Sequence, residues 1–140
     1  MIYVILGPTG SGKTKAVNAI YPYLNVSAII NADAFQVYKD MDIGTAKLEK
    51  DDPLFSKYHL LDFLSPEETF SIQEYQTLFR NVMDKYHDDD SDIIVIGGSG
   101  LYVRSALYDY SFVEYENEVD MSDLEELDNE QLFEKLREIE

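Results

Sequence analysis

Gly7-Pro8-Thr9-Gly10-Ser11-Gly12-Lys13-Thr14 follows the pattern G-x-x-x-x-G-K-[ST]. That spacing suits a phosphate chain. The glycines let successive backbone N–H groups turn inward around an anion, and a helix opening behind them adds partial positive charge. Lys13 is placed to reach the outer phosphate oxygens, and the Thr14 hydroxyl to ligate Mg²⁺. The alternative is a glycine-rich strand-to-helix turn with no ligand; all the fixed positions are filled, which favours the phosphate. Asp33 stands just past an apolar run. A carboxylate there would hold Mg²⁺ through water, act as a general base, or cap a helix, and local sequence leaves these open. Asp42-Ile43-Gly44-Thr45-Ala46-Lys47 sets a turn glycine beside a hydroxyl and a cation. It suits either closure over an anion or an ordinary surface turn. Gly97-Gly98-Ser99-Gly100 offers a hydroxyl in a flexible turn that opens a helix. No acidic residue closes the apolar run before it, which weakens a generic ATPase reading.

These groups need an α/β frame. Ile2–Leu6, residues 27–31 (Ser-Ala-Ile-Ile-Asn) and residues 92–96 (Asp-Ile-Ile-Val-Ile) are continuously apolar runs. Such runs are expected of parallel strands buried under helices on both faces. Residues 59–62 (His-Leu-Leu-Asp) read as a further short strand. Residues 15–21 suit a helix behind the phosphate loop. Ser71 and Glu74 form a capping-box pattern ahead of Ile72, Tyr75, Phe79, Val82, Met83 and Tyr86, an amphipathic stripe that belongs to core packing. Asp88-Asp89-Asp90 reads as a solvated turn, and another helix spans Gly100–Leu107. In an open parallel sheet, the loops after the strands face the ligand crevice. The expected fold is therefore α/β, an open parallel sheet of the P-loop NTPase type flanked by helices, truncated, with an acidic helical C-terminal segment.

Composition bounds the rest. At 140 residues the chain suits one core, and its lack of cysteine excludes a disulfide framework or thiolate metal site. No apolar run approaches a membrane span, so a cytoplasmic monomer is expected. The net charge is −17, of which residues 114–140 carry −10. Residues 1–113 are read as the α/β core, and 114–140 as the start of an insertion or second subdomain. There, Ser122 and Glu125 repeat the capping-box spacing, and Leu132, Phe133, Leu136 and Ile139 mark an amphipathic helix. Such acidity opposes nucleic-acid binding by this chain alone, because phosphate contacts need Lys and Arg.

Several less common words occur in order: the phosphate loop, Asn31-Ala32-Asp33 with Gln36-Val37-Tyr38, His59-Leu60-Leu61-Asp62, and Gly97-Gly98-Ser99-Gly100-Leu101-Tyr102. Together with Met41-Asp42-Ile43-Gly44-Thr45-Ala46-Lys47, they resemble the signature of the tRNA dimethylallyltransferases, also called tRNA isopentenyltransferases. The resemblance implies transfer of a dimethylallyl group from its diphosphate to the exocyclic amine of the adenine on the 3′ side of the anticodon. It implies diphosphate binding by the loop Gly7, Pro8, Thr9, Gly10, Ser11, Gly12, Lys13 and Thr14, with Mg²⁺ on Thr14 and possible on Asp33. It implies Asp33 as the base for the amine proton, with Lys13 and Thr14 also in the chemistry. Asp33, Ala34, Phe35, Gln36 and Ser99 would meet the tRNA. Ala34 stands where that family commonly has Ser, Asp40 where it has Gly, and Ser99 where it has Thr. Family members are considerably longer, so a partial polypeptide is implied, with an Arg for the diphosphate and much of the tRNA surface in the missing part.

Two other functions fit the residues. One is a small P-loop kinase or ATP-binding module, although Arg80, Arg104 and Arg137 are the only arginines and none cluster. The other is a catalytically incomplete fragment that only binds diphosphate.

Overall fold

A computed structural model describes residues 1–88, 90–108, 110–112, 124 and 127–137. Four parallel strands form the sheet: β1 (Ile2–Leu6), β2 (Val26–Asn31), β3 (Tyr58–His59) and β4 (Asp92–Gly97). Their order is β1-β4-β2-β3, so β4 lies between the strands that precede the phosphate loop and Asp33. Helix α1 (Lys13–Ile20) covers one face, and α2 (Ile72–Tyr86) and α3 (Gly100–Leu107) the other. Helix α4 (Asn129–Arg137) carries Leu132, Phe133 and Leu136 exposed and buries no side chain.

The pleat explains why the central strands lack alternation. Ile93 and Val95 of β4 pack with Ala28 and Ile30 of β2 against Tyr75, Phe79, Tyr102 and Val103. Ile94 and Ile96 turn to the opposite face, with Ile29 and Val17. Both faces are dry, so residues 28–30 of β2 and 93–96 of β4 are all apolar. Burying each of these larger side chains contributes about 1.5–3 kcal/mol before conformational entropy is counted. Tyr75 stacks on Tyr102 with ring centroids 4.2 Å apart, and its hydroxyl donates to the Asn31 carbonyl at 3.1 Å. Helix α2 begins as its pattern requires. Ser71 Oγ accepts from the Glu74 N–H at 3.1 Å, and the Glu74 carboxylate accepts from the Ser71 N–H at 2.7 Å.

Three expectations are corrected. Strand β1 is not buried on both faces: it ends the sheet, and Ile2, Val4 and Leu6 are 37, 42 and 48% exposed while Tyr3 and Ile5 pack beside α1. The short strand is Tyr58–His59, not residues 59–62, because Leu60 and Asp62 take positive φ of 57° and 55° and break the extended run. The first helix starts at Lys13 and gives way to a 3₁₀ turn, Tyr21–Tyr23, instead of spanning residues 15–21. Ser122, Glu125 and Ile139 lie outside the described residues, as does Asp89.

Candidate active site

The phosphate loop leaves β1 at Leu6 and turns on two glycines that no other residue type replaces without strain. Gly10 has φ 80° and Gly12 has φ 88°, the left-handed region. Gly12 also caps α1 with no side-chain partner, leaving the first N–H groups of that helix for a ligand. Lys13 folds back over the loop, donating to the carbonyls of Gly7 at 2.8 Å and Pro8 at 2.9 Å. Thr9, Gly10, Gly12 and Thr14 are exposed, as an approach by solute requires.

Asp33 reaches the same crevice from β2. No helix follows it, so the helix-cap alternative is set aside. Instead Asp33 Oδ1 accepts the Phe35 N–H at 3.0 Å, closing a local turn that aims the carboxylate. The turn after β4 supports it from below. Ser99 Oγ accepts the Ala34 N–H at 3.0 Å, and the Ser99 N–H donates to the Ala32 carbonyl at 2.9 Å. The end of β4 also explains the missing acidic residue: a Cβ on Gly97 would lie 2.0 Å from the Ala32 carbonyl oxygen. Any side chain there, a metal-binding carboxylate included, collides with the backbone that leads into Asp33.

Two clefts meet at this point. The smaller, about 240 Å³, is lined by Thr9, Gly10, Gly12, Lys13, Thr14, Asp33, Gln36, Thr45 and Tyr58, among others. Burial, helped by the charge on Asp52, pushes the Tyr58 hydroxyl up to about 12. The larger, about 730 Å³, runs from Pro8 and Thr9 past Asp33, Phe35 and residues 40–45 to Gly98 and Ser99. Thr9, Asp33 and Thr45 belong to both. One cleft is small and built from phosphate-loop donors. The other is roomy, with Phe35, Met41 and Ile43 exposing apolar surface.

Of the residues singled out in the sequence, Gly7, Ser11 and Ala34 lie outside both linings, although the Gly7 carbonyl holds Lys13 and the Ala34 N–H holds Ser99. Gln36 lines the smaller cleft and donates to the Thr45 carbonyl at 2.8 Å. The Lys47 side chain lines neither cleft: it is 1% exposed and paired with the carboxylates of Asp42 and Asp62. Asp40, which replaces a glycine of the related pattern, keeps the turn by taking φ 61°, a conformation Asp tolerates better than most residues. Sequence reasoning missed Met41, Ile43 and Tyr58 as wall residues. The Met41–Lys47 stretch stood out as a loop, but nothing local showed which of its side chains face a ligand.

Similarity to known proteins agrees with this geometry. The family model for IPP transferase matches residues 36–140. The chain is 40% identical over 139 residues to a tRNA dimethylallyltransferase from Anoxybacillus flavithermus, covering 99% of this chain and 44% of that protein. It resembles the solved tRNA delta(2)-isopentenylpyrophosphate transferase of Staphylococcus epidermidis with TM-score 0.71 and 34% identity, over 96% of this chain and 45% of the other. A eukaryotic dimethylallyltransferase described as acting on tRNA matches with TM-score 0.78 and 26% identity, over 96% of this chain and 34% of its own. The chain thus spans less than half the length of these relatives. The family model, the curated relatives and the solved structures agree, and the chain belongs to the IPP transferase family of tRNA dimethylallyltransferases.

Proposed function

We propose that the two clefts form the donor and acceptor halves of a prenyl-transfer site, in which a dimethylallyl group passes from its diphosphate to the exocyclic amine of an adenine in tRNA. The observation that carries this reading is that Asp33 lines both clefts at once. In the reaction the bond from the dimethylallyl carbon to the diphosphate oxygen breaks, its electron pair leaving with diphosphate. A carbon–nitrogen bond forms to the amine, whose proton passes to Asp33. The phosphate-loop amides and Lys13 stabilise the charge that develops on the leaving group. The exocyclic amine is a weak nucleophile, which gives a carboxylate beside it a task. The larger cleft has the room and apolar surface to receive a base taken out of its stack, with Phe35 and Ser99 at its rim.

Mg²⁺ fits the donor half, since the Thr14 hydroxyl lines the smaller cleft and such ions are often held by one or two protein oxygens plus phosphates and water; the Asp33 carboxylate lines the same cleft and would be a second such oxygen only in place of its role as base. Bound there, the ion would neutralise diphosphate charge. A cytoplasmic setting, where tRNA is found, belongs to the same reading. Among the described residues no helix is long and apolar enough to cross a membrane.

Two variants test the proposal. Lys13→Ala should abolish most of the thermal stabilisation that pyrophosphate with Mg²⁺ confers on this chain. Asp33→Asn is assayed with the chain joined to the part of the Anoxybacillus relative that it does not span. Turnover of dimethylallyl diphosphate with tRNA should fall by about 10²–10⁴-fold while donor KM changes little. Unchanged turnover removes Asp33 from the chemistry. Loss of donor binding together with turnover makes it a metal ligand instead.

A further inference from the structure

One buried cluster is not absorbed by the proposed chemistry. The Lys47 ammonium contacts Asp42 Oδ1 at 2.7 Å and donates to Asp62 Oδ1 at 2.8 Å and the Tyr38 carbonyl at 2.6 Å. An ammonium has three N–H donors, so these partners saturate it. Lys50 takes the other oxygen of Asp62 at 2.8 Å. The Lys47 and Asp62 side chains are 1% and 6% exposed, whereas Asp42 and Lys50 are 54% and 63% exposed. Two cations thus balance two anions, with the inner pair dry and the outer pair facing water. Burial alone would raise the Asp62 carboxyl, but hydrogen bonds and charge from Lys47 and Lys50 outweigh it and hold it below the usual carboxylate value.

The cluster joins three segments that surround Asp33. Residues 36–39 carry Gln36 and Tyr38. The turn after β3 carries Asp62, whose N–H donates to the Gln36 carbonyl at 3.0 Å. Residues 40–47 carry Met41, Ile43 and Thr45, the wall of the larger cleft. Gln36 adds a second tie, its side-chain amide donating to the Thr45 carbonyl at 2.8 Å. The tie is made by side chains, because the wall's own internal bonds, Ala46 N–H to Ile43 and Lys47 N–H to Asp42, are local turns that cannot by themselves set its distance from Asp33.

We propose that Lys47 and Asp62 are positioning residues: a charge-balanced clasp that fixes the wall at residues 41–45 relative to Asp33 and so sets the shape of the acceptor cleft. The proposal rests on the reading of the larger cleft as the acceptor half. It gives the His-Leu-Leu-Asp and Asp-Ile-Gly-Thr-Ala-Lys stretches a single joint role, and it assigns Lys47 to no ligand. A buried pair such as this one contributes less to net stability than to a specific arrangement, and removing one member strands the other.

The test uses the 140-residue chain. Asp42→Ala removes only the half-exposed link between clasp and wall, so the fold is retained. Amide exchange at Ala46 and Lys47 should quicken by tenfold or more, and the methyl resonance of the part-covered Met41 should shift. Amides of β4 should exchange as before. Lys47→Met and Asp62→Asn should give the same signature while leaving affinity for Mg²⁺–pyrophosphate within twofold. In the chain completed from the Anoxybacillus relative, these two variants should lower kcat by about 10–10²-fold with donor KM unchanged, as misplacement of a wall beside the reacting groups predicts. If Lys47→Met weakens pyrophosphate binding and leaves wall exchange unchanged, Lys47 is an anion ligand and the clasp is refuted. Unchanged exchange and methyl shifts in Asp42→Ala refute it as well. Where Lys47→Met fails to fold, Asp42→Ala decides. Because exchange and methyl shifts are read without substrate, an inactive completed chain counts against the acceptor assignment and not against the clasp.

Discussion

Gly97→Ala tests the crossing that places Asp33. The new Cβ would lie 2.0 Å from the Ala32 oxygen, 2.1 Å from its carbonyl carbon and 2.7 Å from its Cα. Ordinary contact begins near 3.4 Å, so one strand end must move by about 1.4 Å. Neither party is a side chain, so no rotamer change relieves the collision. Ala32 is held there by its N–H to the Ile96 carbonyl at 2.7 Å and by the Ser99 N–H to its own carbonyl at 2.9 Å. A displacement of that size breaks both, at about 0.5–1.5 kcal/mol each. Overpacking adds about 1–3 kcal/mol, so the expected loss is about 2–6 kcal/mol. For a chain of this length that corresponds to a fall in melting temperature of roughly 6–18 °C. The assay is thermal and urea unfolding followed by circular dichroism, with Gly100→Ala as control. Gly100 opens α3, and a methyl group added there would meet nothing within 4 Å, so its replacement should be neutral or stabilise by up to about 1 kcal/mol. A Gly97→Ala protein melting within about 2 °C of the parent, less than the smallest loss allows, would refute the crossing.

Asp40→Gly should raise stability by about 0.5–1 kcal/mol, since Asp40 sits at φ 61° and glycine relieves it; a lowered urea midpoint would show that the Asp40 side chain holds the turn. His59 should make the fold acid-sensitive: burial, then the Lys85 charge, holds its imidazole below 6.5 in the folded chain. The unfolded chain therefore takes up the proton first, so this stability is present above about pH 6.5 and is lost as pH falls through the folded value. Melting temperature should drop between pH 7 and 5, and His59→Gln should flatten that slope; an equal slope in the variant would assign it elsewhere. With a net charge of −17, the chain alone should give no tRNA gel shift at about 10 μM protein in physiological salt. Tight, salt-sensitive binding would place an RNA surface on these residues.

Features set by neighbouring residues were legible without the fold. The phosphate loop, its two left-handed glycines and the Ser71–Glu74 capping box depend on a few consecutive backbone groups, so their residues specify them directly. The apolar runs of β2 and β4 announced burial on both faces, because a covered parallel strand has no wet side. Strand β1 carries the same kind of run yet lies at the edge with one face bare. A strand's own residues state how apolar it is, and only the pairing order states what covers it. The site divides in the same way. Lys13 and Asp33 stood out as candidates from their residue types and spacing. Their meeting depends on β4 entering between β1 and β2, and the support of Ala34 by Ser99 spans 65 residues of chain. The sequence showed Lys47 only as a cation near a turn glycine, and its pairing with Asp62, 15 residues on, appears only in the fold. Whether a charge meets solvent, a ligand or a buried partner depends on which distant segment packs against it, and that contact exists only once the sheet has assembled.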